Sequence, residues 1–355
     1  MNSKNNPISK SSKINSLLKL RDNAKTPLSS GERIRVALTM GDPAGIGPAI
    51  TLKALQLLKN KADITVVGNS FVLEKCAGLL RSKFFPQKLI SLNNLEKNNF
   101  EFGKVNPANG GASIEYLDAA LGLIEDKKVD CVVTCPISKE AINLAGKKFS
   151  GHTEYFAEKT RSKNPVMMLL NDKLKFSLLT RHIPIKDVSS KLSIGALKEN
   201  ILNTEKGLKE LFLINHPRIV VCGVNPHASD NGLIGREERE ILIPAIREIK
   251  KKKGAPLLFG PLPADVAISH AANGAFDCII AAYHDQALIA LKLTGDDRGV
   301  NLTLGLEFVR TSPLHGTAFD IAGCPSKANP NSLISAIKLA IKCASRAIRN
   351  YERIG

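Results

Sequence analysis

The sequence predicts an α/β protein of two domains built on largely parallel strands. Three observations carry that expectation. Apolar runs of strand length alternate with helix-like segments along nearly the whole chain, as repeated βα units do. At 355 residues the chain exceeds what one hydrophobic core usually fills. Three apolar runs each end by delivering a histidine: LKFSLLTRH (174–182), RIVVCGVNPH (218–227) and DCIIAAYH (277–284). Ligands of an open parallel sheet sit just beyond the carboxyl ends of its strands, so function is expected there.

The elements follow in order. Residues 1–32 are rich in Ser, Asn and Lys without sustained periodicity and are expected to form a mobile tail. Residues 33–39 read as a strand, followed by the glycine-rich turn TMGDPAGIGP (39–48) and a helix over 48–59 with proline at its start. A strand over 64–68 and a helix over 70–80 come next. Ile114, Leu117, Leu121 and Ile124 share one helical face, which predicts an amphipathic helix over 112–126. Residues 129–134 read as a strand. Strands over 174–181, 218–224 and 277–282 then alternate with helices near 193–213, 236–252 and 285–292. A last helix over 331–350 is expected to return to the first domain. That domain would therefore be discontinuous, 33–147 with 320–355, and 148–319 would form the second domain, carrying the histidines.

Composition excludes several classes. Hydrophobic residues make up 43% and charged residues 23%, ordinary values for a globular protein. No apolar run is long enough to span a membrane, and the first residues lack the apolar core of a secretory signal. The seven cysteines form no CxxC pair, and Cys131, Cys222 and Cys278 lie inside apolar runs. Thiols so used point to a reducing cytoplasm rather than to disulfides or a cysteine zinc site. The formal net charge is +17, of which the tail's six Lys or Arg against two acids give +4. The remainder is either a solvated lysine-rich surface or a field that attracts anionic substrates. With 5% aromatics and no Trp there is no stacking platform, so no nucleic-acid partner is expected.

Five motifs carry candidate chemistry. His182, His227 and His284, gathered at the strand ends, would hold a divalent cation and leave a coordination position open. Each alone could equally be structural; His216 and His270 read as structural, and His315 as either. The turn TMGDPAGIGP suits an anion at a helix N-terminus or a purely structural turn, and matches neither GxGxxG nor a Walker loop. In SGHTEYFAE (150–158), His152 and Thr153 can donate to a phosphate or carboxylate, or Thr153 can simply cap a helix. Lys292, Asn301 and Arg310 bring two cations and an amide to one region, suited to anionic substrate groups; a solvated helix end and a surface ion pair are the plain alternatives. In GPLPAD (260–265) two prolines set a turn and Asp265 follows as a helix cap, or orients a ligand.

GDPAGIGP, GHTEYFAE, CGVNPHA, GPLPAD, YHDQ, RGVNLTLGL and FVRTSPLHGTA together resemble the 4-hydroxythreonine-4-phosphate dehydrogenase family of vitamin B6 biosynthesis, over about residues 33–342. The resemblance implies a fold like that of isocitrate and isopropylmalate dehydrogenases, two α/β domains with a cleft between them. It implies His182, His227 and His284 as ligands of one divalent ion (Zn, Mg or Co). It implies His152, Thr153, Lys292, Asn301 and Arg310 as substrate contacts, and NAD or NADP as cofactor, with no cofactor contacts assigned. It also implies a homodimer with the active site at the subunit interface, so the three histidines need not come from one chain. Three positions depart from the family pattern: Ala49 replaces an acid, Glu307 a proline and Leu314 an aspartate, the last two flanking Arg310.

The expected reaction is oxidation of a phosphorylated hydroxy acid by hydride transfer, then loss of carbon dioxide from the β-keto acid. Asp265 or a metal-linked water is the candidate base. Three rivals remain: a paralogous dehydrogenase for another phosphorylated four-carbon acid or a cis-dihydrodiol carboxylate, a basic nucleic-acid-binding protein, and a metal-stabilised interaction protein without catalysis.

Overall fold

A computed structural model describes residues 33–58, 62–295 and 297–352. The tail expected over 1–32 lies outside the described residues. The chain opens with β1 (Arg35–Thr39), α1 (Gly47–Leu57), β2 (Asp63–Gly68), α2 (Ser70–Leu79), β3 (Leu89–Ser91), α3 (Pro107–Glu125), β4 (Cys131–Thr134), α4 (Lys139–Leu144) and α5 (His152–Lys159). It continues through β5 (Val166–Leu170), β6 (Lys175–Leu178), α6 (Val188–Lys191), α7 (Ile194–Phe212), β7 (Arg218–Cys222), α8 (Ile243–Lys250) and β8 (Leu257–Leu262). It closes with α9 (Ala264–Ala272), β9 (Cys278–Ala281), α10 (His284–Thr294), β10 (Val300–Leu304), β11 (Val309–Pro313), α11 (Phe319–Ala322) and α12 (Asn331–Glu352).

All these strands join one sheet in the order β3-β2-β1-β4-β11-β10-β5-β6-β9-β7-β8. The sheet is largely parallel, as expected, but its centre is not. β10 runs antiparallel to both β11 and β5, and β5 antiparallel to β6. Two parallel blocks, β3-β2-β1-β4-β11 and β6-β9-β7-β8, therefore point in opposite directions. The central strands explain the reversal, and the sequence did not reveal them. VMMLL of β5 has one β-branched residue, and β10 and β11 lie inside a stretch that reads first as motif. β8 contains Pro261, which an edge strand tolerates because its outer N–H is not needed by a neighbour.

Burial accounts for the strands. β4 and β9 are buried at every residue, as strands covered on both faces must be. α3 starts at Pro107, earlier than its apolar face suggests, because the Asn106 side chain caps it by accepting from Ala108 N at 2.8 Å. α12 buries Leu333, Ala336, Ile337, Ala340, Cys343 and Ala344, a helical stripe that packs on β11, β4, β1, α1 and α7. The closing helix thus returns to the first strands of the chain. Residues 40–50, the glycine-rich turn and the start of α1, are all buried. Gly41 has φ +74°, and a Cβ there would lie 2.3 Å from the Pro136 carbonyl oxygen.

Candidate active site

The site is built on the sheet face that β10 and β11 share. Asn301 and Thr303 alternate onto one face of β10, and Thr303 lies directly opposite Arg310 of β11. Arg310 Nη1 donates to Thr303 Oγ1 at 3.2 Å and Nη2 to Thr134 Oγ1 at 2.5 Å. Thr303 Oγ1 in turn meets Thr153 Oγ1 at 3.2 Å, which fastens the start of α5 to the sheet. Arg310 is 1% exposed and takes part in no ion pair among the described residues. Burial pushes its guanidinium down to about 9, with Glu154 opposing the shift. It is therefore a buried cation held by neutral hydroxyls.

Three buried polar atoms on this patch lack partners among the described residues: Arg310 Nε, Asn301 Oδ1 and His152 Nε2. Leaving such groups unmet costs free energy, which makes these three atoms candidates for contact with a ligand. His152 is the first residue of α5, with Gly151 as cap; Thr153 is not the cap the capping reading allowed. Burial holds the His152 imidazole well below its usual range, helped by Arg310 and Lys139, so it stays neutral.

The histidine-bearing strands are neighbours, since β6, β9 and β7 pair in parallel. His182 and His284 lie with ring centroids 5.6 Å apart. His284 Nδ1 engages Asp285 Oδ1 at 2.7 Å, which leaves Nε2 free. Burial is the largest cause that lowers His182, followed by Lys139 and His284. Two imidazoles so placed suit two ligand positions of a divalent ion. Among the described residues no three His, Cys, Asp or Glu side chains are arranged to hold a metal, and the third histidine of the expected set stands apart from these two. His227 is exposed, in the segment Pro226–Gly232, where residues 227–231 all have positive φ. The buried Glu238 carboxylate holds that segment, accepting from Val224 N at 2.7 Å and Asn225 N at 2.9 Å.

Two further expected residues sit elsewhere. Lys292, in the last turn of α10, lines a cavity of about 210 Å³ with Ile46, Gly299, Leu314, His315 and Ser332. Asp265 is exposed in the first turn of α9, after the cap position that Pro263 takes; it lies by Cys222, and α9 packs on the His227 segment. Of the departures, Leu314 lies against Gly299 in that cavity, Glu307 is exposed in the β10–β11 turn, and Ala49 is buried in α1.

Sequence reasoning missed Thr134 and Thr303, which hold Arg310, and Glu154, which pairs with Arg181 at 3.1 Å. It missed Gln286, which accepts from Ala282 N at 2.8 Å and donates to Gly223 O at 2.9 Å, tying the ends of β9 and β7. It also missed Lys139, whose Nζ lies 3.4 Å from His182 Nδ1. Lys139 follows a strand end, so the rule that led to the histidines could have found it.

Known proteins resemble the chain over most of its length. The model of the family "Pyridoxal phosphate biosynthetic protein PdxA" matches residues 55–340. A 4-hydroxythreonine-4-phosphate dehydrogenase of Sulfurihydrogenibium sp. is 40% identical over 319 residues, covering 87% of this chain and 98% of the relative. A D-threonate 4-phosphate dehydrogenase of Cupriavidus necator is 37% identical over 331 residues, covering 88% and 97%. The crystal structure of 4-hydroxythreonine-4-phosphate dehydrogenase from Klebsiella pneumoniae superposes with a TM-score of 0.77 at 34% identity, covering 89% of this chain and all of that one.

Proposed function

The chain belongs to the PdxA family, and on that premise we propose that it is a 4-hydroxythreonine-4-phosphate dehydrogenase of vitamin B6 biosynthesis. The substrate's secondary alcohol gives a hydride to NAD or NADP and a proton to a base. The product, 2-amino-3-oxo-4-phosphooxybutanoate, loses carbon dioxide to give 3-amino-2-oxopropyl phosphate. The observation that carries the reading is Arg310: a guanidinium 1% exposed, without a carboxylate partner among the described residues, on a strand pair that also carries Asn301, whose Oδ1 is unmet, and tied through Thr303 to Thr153, the neighbour of His152, whose Nε2 is unmet. Such a group is balanced when an anionic substrate arrives.

In this reading Arg310, His152, Thr153 and Asn301 bind and orient the substrate, and Lys292 holds an anionic end from the neighbouring cavity wall. His182 and His284 hold one divalent ion, zinc, magnesium or cobalt, with His227 from a second copy of the chain. When bound, the ion lowers the proton affinity of a hydroxyl and steadies negative charge on oxygen. Asp265, carried beside the His227 segment, is the proposed proton acceptor. Support for the homodimer comes from that segment, where His227 and the 84% exposed Leu233 face solvent together. The division into 33–147 with 320–355 and 148–319 belongs to the same proposal. So does a cytoplasmic location, which the free cysteines favour; among the described residues no helix is long and apolar enough to cross a membrane.

D-Threonate 4-phosphate is the second reading, favoured by the named relative at 37% identity. The two substrates differ in an amine against a hydroxyl. Comparing kcat/KM for both, with NAD and with NADP, decides between them. A preference for 4-hydroxythreonine 4-phosphate supports the first reading, and a preference for D-threonate 4-phosphate replaces it with the second.

A further inference from the structure

Lys139 is the first residue of α4, directly after the turn that ends β4. Ser138 caps the helix, its hydroxyl accepting from Ala141 N at 3.1 Å. A cation in the first turn works against the field of the helix, so the helix does not explain it. Among the described residues no carboxylate pairs with Lys139, whereas the exposed Lys159 pairs with Asp118 at 3.3 Å. Its Nζ instead reaches across to His182 Nδ1, which comes from the oppositely directed block of strands.

The local charge balance has the same direction. Glu154 is engaged by Arg181 at 3.1 Å. Among the described residues Arg310 and Lys139 are left without a directly paired acid, and contacts tie both to the start of α5: Arg310 through Thr303 to Thr153 at 3.2 Å, and Lys139 through His182, whose chain neighbour Arg181 pairs with Glu154 at 3.1 Å. Both also lower the proton affinity of His152, the first residue of α5. Two cations near a neutral imidazole whose Nε2 is unmet form an anion seat built on β4, β11 and the start of α5, with His182 of the other block at its edge.

We propose that Lys139 is a further substrate-binding residue, contacting an anionic oxygen of the substrate in the seat formed with His152 and Arg310. The proposal rests on the dehydrogenase reading only for the identity of that substrate. A phosphoryl or a carboxylate group could supply the oxygen, and the two are separated by probe.

The test uses metal-free full-length protein, titrated calorimetrically with inorganic phosphate and, separately, with acetate. Wild type, Lys139→Ala, Lys139→Arg and the remote surface control Lys338→Ala are compared. Saturable binding of either anion by wild type and the control is expected. Lys139→Ala weakens it about tenfold and Lys139→Arg by less than about threefold. In turnover, KM for the phosphorylated substrate rises with kcat less affected. Unchanged anion affinity in Lys139→Ala, or no anion binding by wild type, overturns the proposal. So does a fall in kcat alone with KM unchanged, which would assign Lys139 to positioning His182. If Lys139→Ala does not fold, Lys139→Gln replaces it under the same criteria. If wild type turns over neither phosphorylated acid, the dehydrogenase reading fails while the anion titration still decides the role of Lys139.

Discussion

Thr303 and Arg310 face each other across the antiparallel pair β10–β11, and the Arg310 guanidinium is held there at 3.2 Å from the Thr303 hydroxyl. The pairing fixes a cation inside the protein with hydroxyls as its hydrogen-bond partners. Such an arrangement trades stability of the free protein for binding of an anion.

Replacing Arg310 with Met removes the buried charge and keeps most of the volume. The substrate-free variant is expected to unfold at the same temperature as wild type or higher, a gain of up to roughly 3 kcal/mol. Its kcat/KM falls by about three orders of magnitude or more. Calorimetric melting and steady-state kinetics check both halves. A less stable variant with near-normal activity contradicts the role given to Arg310.

His182 and His284 stand together while His227 stands apart on a separate exposed segment. If the ion takes ligands from two copies, His182→Ala and His227→Ala are each inactive alone. Mixed and reassembled, they recover about a quarter of wild-type activity, because half of the dimers then carry one intact site. No recovery, with exchange of subunits demonstrated, places the three histidines in one chain.

Asp42 is buried in the glycine-rich turn, and burial pushes its carboxyl up to about 6 from 3.8. The folded state thus favours the protonated form. The acid adds no penalty at low pH, and stability falls as pH rises through about 4 to about 6. Asp42→Asn keeps an acceptor for Ala44 N, which Asp42 Oδ1 meets at 2.9 Å, and removes the charge. Relative to wild type it gains stability across that window, levelling near roughly 3 kcal/mol above it. Denaturant melts at several pH values measure this; a constant difference between the two proteins speaks against the burial cost.

Glu238 holds the His227 segment by accepting two backbone N–H groups. Glu238→Ala strands both donors and is expected to cost about 2 kcal/mol or more. Divalent-ion affinity drops about 10- to 100-fold, as when a support of a metal ligand is lost. Glu238→Gln, which keeps one acceptor, is milder. Equilibrium ion binding with wild-type affinity in Glu238→Ala would remove the segment from the metal site.

Much of the α/β alternation was legible because buried strands and amphipathic helices write their periods into the chain. The runs ending in His182 and His284 did converge. The reversal of strand direction was not legible, because it depends on β5 and β10, whose side chains alternate onto faces the local sequence cannot assign. Arg310 was picked out in the sequence as a candidate cation for an anionic group, but not as a residue held by Thr134 and Thr303. Those threonines carry no charge and gain their meaning only from the register of β4, β10 and β11. Lys292 was grouped with Arg310 by nearness in sequence; the structure sets it on the wall of a cavity with His315 and Leu314.

The most direct measurement is of reduced nicotinamide and carbon dioxide released from 4-hydroxythreonine 4-phosphate by the purified protein, before and after chelation and divalent-ion return. The account predicts equal amounts of the two products, loss of both on chelation, and recovery on return of the ion. Absence of both products from folded, ion-loaded protein, or turnover indifferent to chelation, would contradict it.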